Sequence, residues 1–314
     1  MILDTAVFKK LAHNDTGVAA GHQGGIVIPK DIAQFFPPLP LSANESNPTV
    51  DTRLTADLFI GNLRVASVLT RYQHQTWGGT RSPERRLTDN LGPLRNVAEA
   101  DDILIFRKDL SDDGYIRLHL LKRGTAEYDQ LAAEIGSKRW GPVDHSNPPV
   151  SIDELKTAER YVQDEAGLPG RAFCEERRHV ETTTIRRARD RAFRRKVLEL
   201  YDFKCAFTGR RFVSPISERT VGLDAAHIVP VDSNGSDHPA NGIALTKELH
   251  WSFDRGLIGV GTNRKLLVPT SVKLLPGNEF LRDLDGTAIR EATASSLVAL
   301  EEAFDWHRQN VLLS

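Results

Sequence analysis

The sequence predicts an α+β protein of two domains: a strand-rich N-terminal half, then a helical part enclosing a short strand–loop–strand–helix segment. Three observations predict it. The chain has 314 residues, enough for two separate cores. Up to about Gly136, short apolar runs alternate with turn residues, whereas long helical patterns follow Pro149. Between them, Gly136 to Pro149 is rich in Gly, Pro, Asn and Ser. The expected divisions are residues 1–136, a linker with one helix over 137–183, and residues 184–314.

In the first domain, Gly25-Ile-Val-Ile28 is an apolar run stopped by Pro29. Asp57–Ile60 and Asn62–Ala66 form a hairpin pattern around Gly61. Asp101–Phe106 and Tyr115–Leu120 read as paired strands joined by Ser111–Gly114, and Ala126–Ile135 as a closing helix. In the second, Ser151–Ala166 reads as a helix with Ser151 and Glu154 spaced for a capping box. Thr184–Tyr201 reads as a longer helix, with Ala188, Ala192, Phe193, Val197, Leu200 and Tyr201 on one face and arginines on the other.

Composition narrows the class. With 40% hydrophobic and 26% charged residues the chain reads as a globular protein, and no apolar run approaches the roughly 20 residues that span a bilayer. Lys9 and Lys10 follow the first apolar residues, the reverse of a secretory signal. Two cysteines, Cys174 and Cys205, allow neither a disulfide framework nor a four-cysteine zinc site, and a reducing cytoplasm is the expected location. The net charge is only −1, yet Arg186, Arg187, Arg189, Arg191, Arg194, Arg195 and Lys196 cluster against the single acid Asp190. Such a run is a solvated helix face or a contact for a polyanion; Arg187, Arg191 and Arg195 are the candidates for DNA phosphates.

The chemistry concentrates between Asp224 and Arg255: Leu-Asp224-Ala-Ala-His227-Ile-Val-Pro, then Asn241-Gly, then His250-Trp-Ser-Phe-Asp254-Arg-Gly. Phosphodiester hydrolysis needs an activated water, a cation for the developing charge and a fixed line of attack. A histidine is suited to take the water's proton. His250 and Asp254, four apart on a helix, share a face and can grip one ion.

In this order the residues resemble the HNH nucleases, a ββα-metal family. The resemblance implies that His227 is the general base, that Asn241 orients the base and its loop or helps bind the metal, and that His250 and Asp254 are metal ligands. Many members carry Asp or His immediately before the base; here that position is Ala226. Asp224, on the same side of the strand as Ala226, is the candidate substitute ligand, the alternative being a strand-end residue paired with an arginine. Many relatives also brace the unit with cysteine pairs. Cys205-Ala-Phe-Thr-Gly209 keeps one, so no structural zinc is expected, and Phe203, Phe207, Leu223, Ile228 and Phe253 are expected to hold the unit by apolar packing.

A second resemblance lies in Leu11–Gly17, Gly21–Lys30, Gly78–Thr88 and Lys122–Tyr128. These segments are similar to the N-terminal effector domain of EcoRII-type restriction enzymes, a DNA-binding pseudobarrel that clasps the major groove with two arms. His22, Gln23 and Lys30 are assigned to one arm; Arg81, Glu84, Arg85 and Arg86, in an expected loop, to the other. Arginine can bond guanine bidentately and Gln can bond adenine. The alternatives are that Glu84 only pairs with a neighbouring arginine and that His22 caps the glycine turn. Tyr72 and Trp77 are expected in the core or at its rim.

A reader joined to a cutter implies a sequence-specific double-strand DNA endonuclease of type II. It is expected to use Mg²⁺, Mn²⁺ or another divalent ion, to act as a homodimer, and to work beside a cognate methyltransferase in the cell. A modification-dependent nuclease and a DNA-binding regulator with a dead HNH fold remain alternatives.

Overall fold

The computed structural model describes residues 3–18, 24–39, 42–76, 82–174 and 182–313. His22, Gln23, Trp77 and Arg81 lie outside the described residues. The chain divides into two compact units, residues 1–154 with Pro215–Ser217, and Leu155–Ser214 with Glu218–Ser314.

The first unit is a half-barrel sheet of eight strands among the described residues. In chain order these are β1 (Val7–Lys10), β2 (Ile26–Ile28), β3 (Thr49–Ile60), β4 (Leu63–Gln75), β5 (Glu84–Leu87), β6 (Ile103–Asp109), β7 (Asp112–Leu121) and β8 (Trp140–Pro142). Their spatial order is β2-β5-β4-β3-β7-β6-β1-β8. Only β3 and β7 run parallel, Leu58 opposite Leu118. The hairpin at Gly61 is there, with strands longer than its apolar cores indicate, because exposed and half-buried residues such as Arg53 and Arg71 continue the pairing.

Why β6 reads as an unbroken apolar run is visible in its two faces. Leu104 and Phe106 enter one core with Leu54, Leu58, Leu118 and Tyr72. Ile103 and Ile105 enter a second, closed by Leu131 and Ile135 of the helix at Ala126–Ile135. Tyr72 is a core residue, its ring stacked 5.0 Å from that of Phe36. Each such side chain stabilises by about 1.5–3 kcal/mol on burial. Of the helices here, α1 (Gly92–Arg95) is a single turn, and α2 (Ala126–Ile135) is capped by Thr125, whose hydroxyl accepts from the Tyr128 N–H at 3.3 Å.

Two sequence expectations are corrected. The stretch expected as linker supplies β8, which pairs with β1, a strand the apolar pattern did not reveal because β1 ends in Lys9 and Lys10. Glu84, Arg85 and Arg86 stand in β5, paired to β2 on one side and β4 on the other, and not in a loop.

Helix α3 (Ile152–Ala166), which belongs to the second unit from Leu155 onward, begins with the expected capping box: Ser151 Oγ accepts from the Glu154 N–H at 3.2 Å, and Glu154 accepts from the Ser151 N–H at 2.8 Å. α4 (Thr183–Leu200) buries the predicted apolar face. A short pair, β9 (Phe212–Val213) and β10 (Thr220–Val221), precedes β11 (Leu223–His227). β11 pairs antiparallel with β12 (Gly242–Thr246), which runs directly into α5 (Lys247–Asp254). After it come β13 (Gly259–Val260), β14 (Leu266–Leu267), α6 (Thr270–Lys273), α7 (Glu279–Leu284) and α8 (Glu301–Asn310). α8 buttresses α5 through His307, stacked 3.7 Å from Phe253 and donating from Nε2 to the Phe253 carbonyl at 3.0 Å.

Phe207, Leu223, Ile228 and Phe253 are buried as expected, but Phe203 is 40% exposed. Asp202 and Phe203 both take left-handed backbone conformations after α4 (φ 53° and 50°), and this turn directs the ring outward. Among the described residues no helix is long and apolar enough to cross a membrane.

Candidate active site

The ββα unit carries the predicted residues on adjacent elements: Asp224 and His227 on β11, Asn241 just before β12, and His250 and Asp254 on α5. His227 ends β11 opposite Gly242 of β12, and its imidazole lies flat on the Phe193 ring of α4, 3.7 Å between centroids and 8° between planes. Gly242 makes that stack feasible. A Cβ there would come within 2.7 Å of the Phe193 ring and 2.5 Å of Val197, so the glycine after Asn241 serves a close approach and is not an ordinary turn.

Asn241 is fully buried and its amide is spent on the loop between the strands. Its oxygen accepts from the Val229 N–H at 2.9 Å, and its nitrogen donates to the carbonyls of Val229 and Ser236, each at 3.0 Å. His238 assists from within the same loop: Nδ1 accepts from the Ala240 N–H at 3.1 Å. Burial holds its pKa below the usual histidine value.

On α5, His250 stands between two carboxylates. Its Nε2 is 3.3 Å from Asp254 Oδ2, and its Nδ1 is 3.6 Å from Asp224 Oδ2. Burial alone would lower the His250 pKa, but the facing carboxylates outweigh it and raise it. Burial works against the Asp224 charge, yet His250, Arg194 and Lys247 more than compensate and hold that carboxyl below the usual range. For Asp254 burial wins and the pKa rises. Ala226, the residue before His227, is wholly buried opposite Ile243.

Carboxylate oxygen and imidazole nitrogen suit a divalent cation. Donors about 2.1 Å from one octahedral ion lie roughly 3 Å apart, and the 3.3 Å gap between His250 Nε2 and Asp254 Oδ2 fits two such neighbours. Asp224 does not complete the set, since it faces the other ring nitrogen. Among the described residues no three His, Cys, Asp or Glu side chains gather into a set that could hold an ion.

Sequence reasoning missed Asp237. Its side chain is 1% exposed, with Oδ1 3.1 Å from His227 Nε2 and Oδ2 bonded to Arg189 of α4. It lies four residues before Asn241 in a stretch that reads only as a polar loop, which also holds Asp232.

The arginine run on α4 is largely committed inside the unit. Arg189 holds Asp237, Arg194 holds Asp224, and Arg191 and Arg195 both reach Glu159 of α3. Arg191, expected to meet DNA, is 10% exposed; Arg195 is 53% exposed. Arg187 donates to its own helix at the Thr183 carbonyl.

In the first unit, Lys30 is exposed at the end of β2, while Arg86 is 13% exposed and bonds Glu84 through Nε and Nη2 at 2.9 and 2.7 Å. The base of the segment leading to His22 and Gln23 is fixed by buried Asp15, which takes the Lys9 ammonium at 2.8 Å and the Val27 N–H at 2.8 Å.

A strand ending in His227, a loop closed on Asn241, a second strand and a helix carrying His250 make the ββα unit of an HNH nuclease domain. Residues 205–261 match the family described as HNH endonuclease, and residues 2–127 the family described as restriction endonuclease EcoRII, N-terminal. The chain therefore carries an HNH endonuclease domain behind an EcoRII-type N-terminal domain. No curated protein matches the sequence. Among solved structures, it is similar to the modification-dependent restriction endonuclease TagI (18% identity, TM-score 0.31), the match covering 39% of each chain. It is also similar to the B3 domain of the UbaLAI restriction endonuclease with cognate DNA (22% identity, TM-score 0.26), covering 38% of this chain and 67% of that one. The match thus spans about two fifths of TagI.

Proposed function

We propose that this protein is a sequence-specific double-strand DNA endonuclease of the type II restriction class. The observation that carries the reading is His227 at the end of β11, joined through β12 to the His250–Asp254 pair of α5, in the order of an HNH site. His227 takes a proton from a water, whose oxygen attacks phosphorus; the bond to the 3′ oxygen breaks, and that oxygen takes a proton from solvent, leaving 5′-phosphate and 3′-hydroxyl ends. A divalent ion, Mg²⁺ or Mn²⁺, held by His250 and Asp254 would neutralise charge developing on the phosphate oxygens. Asp224 steadies His250 from its second nitrogen, a common arrangement behind metal-bound histidines.

The segments bearing His22, Gln23, Lys30, Arg81, Glu84, Arg85 and Arg86 read the DNA. One site cuts one strand, so a homodimer cleaves a symmetric sequence. A cognate methyltransferase would protect the host's own sites.

Plasmid DNA, methylated and unmethylated, is incubated with the protein and Mg²⁺ or Mn²⁺, and the ends are sequenced. Cuts at a fixed sequence in unmethylated DNA, abolished in His227→Ala while DNA binding persists, are expected. Cutting only of methylated DNA would replace type II with modification dependence, and no cutting of either would overturn the nuclease reading.

A further inference from the structure

We propose that Asp237 is a positioning residue for His227, fixing which ring nitrogen takes the proton from water; this rests on the reading of His227 as the general base. The carboxylate lies 3.1 Å from His227 Nε2 and is 1% exposed. A buried carboxylate needs a countercharge, and Arg189 supplies it from α4, itself 12% exposed with its guanidinium 4.5 Å from the Tyr161 ring centre. An ionised carboxylate only accepts hydrogen bonds, so the nitrogen facing it carries the proton. Nδ1 is then the nitrogen with the lone pair.

Two further contacts fix the ring and the acid. The Phe193 stack sets the plane of the imidazole. Asn241 donates to the carbonyl of Ser236, the residue before Asp237, and His238 beyond it is fully buried. The buried asparagine thus acts on the histidine by placing the loop that holds its partner acid. When Nδ1 accepts the proton, the ring becomes an imidazolium between water and carboxylate, and Asp237 stabilises that charge. The proton later passes to solvent, restoring the neutral ring.

The test uses the full chain. Long-range ¹H–¹⁵N spectra, with the His227 signals identified by their absence in His227→Ala, report the protonated nitrogen without any change at Asp237. A proton on Nε2 is expected, lost to a mixture of tautomers in Asp237→Asn. Cleavage by Asp237→Asn should fall about 10²- to 10⁴-fold, the range of general-base assistance. DNA affinity should stay within about twofold, and Asp237→Glu should recover part of the rate by the charge-assisted bond it can still form. A wild-type proton on Nδ1, or Asp237→Asn cutting at the wild-type rate, overturns the proposal. Cleavage by His227→Ala would instead overturn the general-base reading on which it rests.

Discussion

Arg194 of α4 and Asp224 of β11 are joined by a 2.9 Å hydrogen bond from Nε to Oδ1, and the same guanidinium reaches the Leu223 carbonyl at 2.6 Å. The second carboxylate oxygen is thereby aimed at Lys247 (3.3 Å) and His250 (3.6 Å). One helix outside the ββα unit thus sets the angle of the acid that faces His250.

The first prediction concerns that acid. Asp224→Asn removes the charge facing His250 Nδ1 but keeps the side chain's shape, so the divalent-ion concentration for half-maximal cleavage should rise about 10- to 100-fold. Saturating ion should recover much of the rate, whereas it should recover none for His227→Ala. Arg194→Ala should act in the same direction and cost about 1–3 kcal/mol of stability by leaving Asp224 half-satisfied. Rate against metal concentration checks both; an unchanged ion requirement in Asp224→Asn would exclude Asp224 from the site.

The second concerns the arginine run. Arg191 is 10% exposed and shares Glu159 with Arg195. Arg191→Met should therefore lower stability by about 1–2 kcal/mol while leaving the salt dependence of DNA binding unchanged. A slope of log affinity against log salt reduced by about one would make it a phosphate contact instead.

That contrast shows where the sequence is legible. The order His227, Asn241, His250 is local, and the short strand and the helix read for His227 and His250 are β11 and α5. The amphipathic pattern of α4 likewise placed Phe193 and Val197 inward. The partners of its arginines were invisible, since Glu159, Asp224 and Asp237 lie 30 to 48 residues away and meet α4 only through tertiary packing. Asp237 escaped for the same reason: nothing in a polar loop marks which acid turns inward. β8 was hidden because three residues containing Gly141 and Pro142 read as linker, and only the edge offered by β1 makes them a strand.

The third prediction separates base reading from phosphate contact in the N-terminal unit. Arg86 is 13% exposed and held by Glu84, a geometry that aims a guanidinium, whereas Lys30 is exposed and carries a point charge. Arg86→Ala should weaken binding to the cognate sequence by about 1–3 kcal/mol with little change on random DNA. Lys30→Ala should weaken both alike and reduce the salt slope by about one. Binding isotherms on cognate and random duplexes at several salt concentrations give the answer. Equal losses for Arg86→Ala on every duplex would remove it from base recognition.

The fourth concerns acid stability. His307 is 2% exposed between Phe253 and Arg308, and burial, with the Arg308 charge adding to it, pushes its pKa down to about 4. The unfolded chain binds a proton at about 6.5. Because the folded value is depressed, the neutral ring's contribution is fully present above about pH 6.5. It is lost as pH falls from there toward 4, at up to about 1.4 kcal/mol per pH unit. Urea unfolding at pH 7.5, 6.0 and 5.0 should show this decline, and His307→Gln, which keeps a donor for the Phe253 carbonyl but does not titrate, should flatten it. His119, also lowered to about 4 by burial and by Arg107 and Arg117, belongs to the other unit, and its acid sensitivity should survive the substitution. An unchanged pH slope in His307→Gln would mean that acid unfolding of the nuclease unit starts from another group.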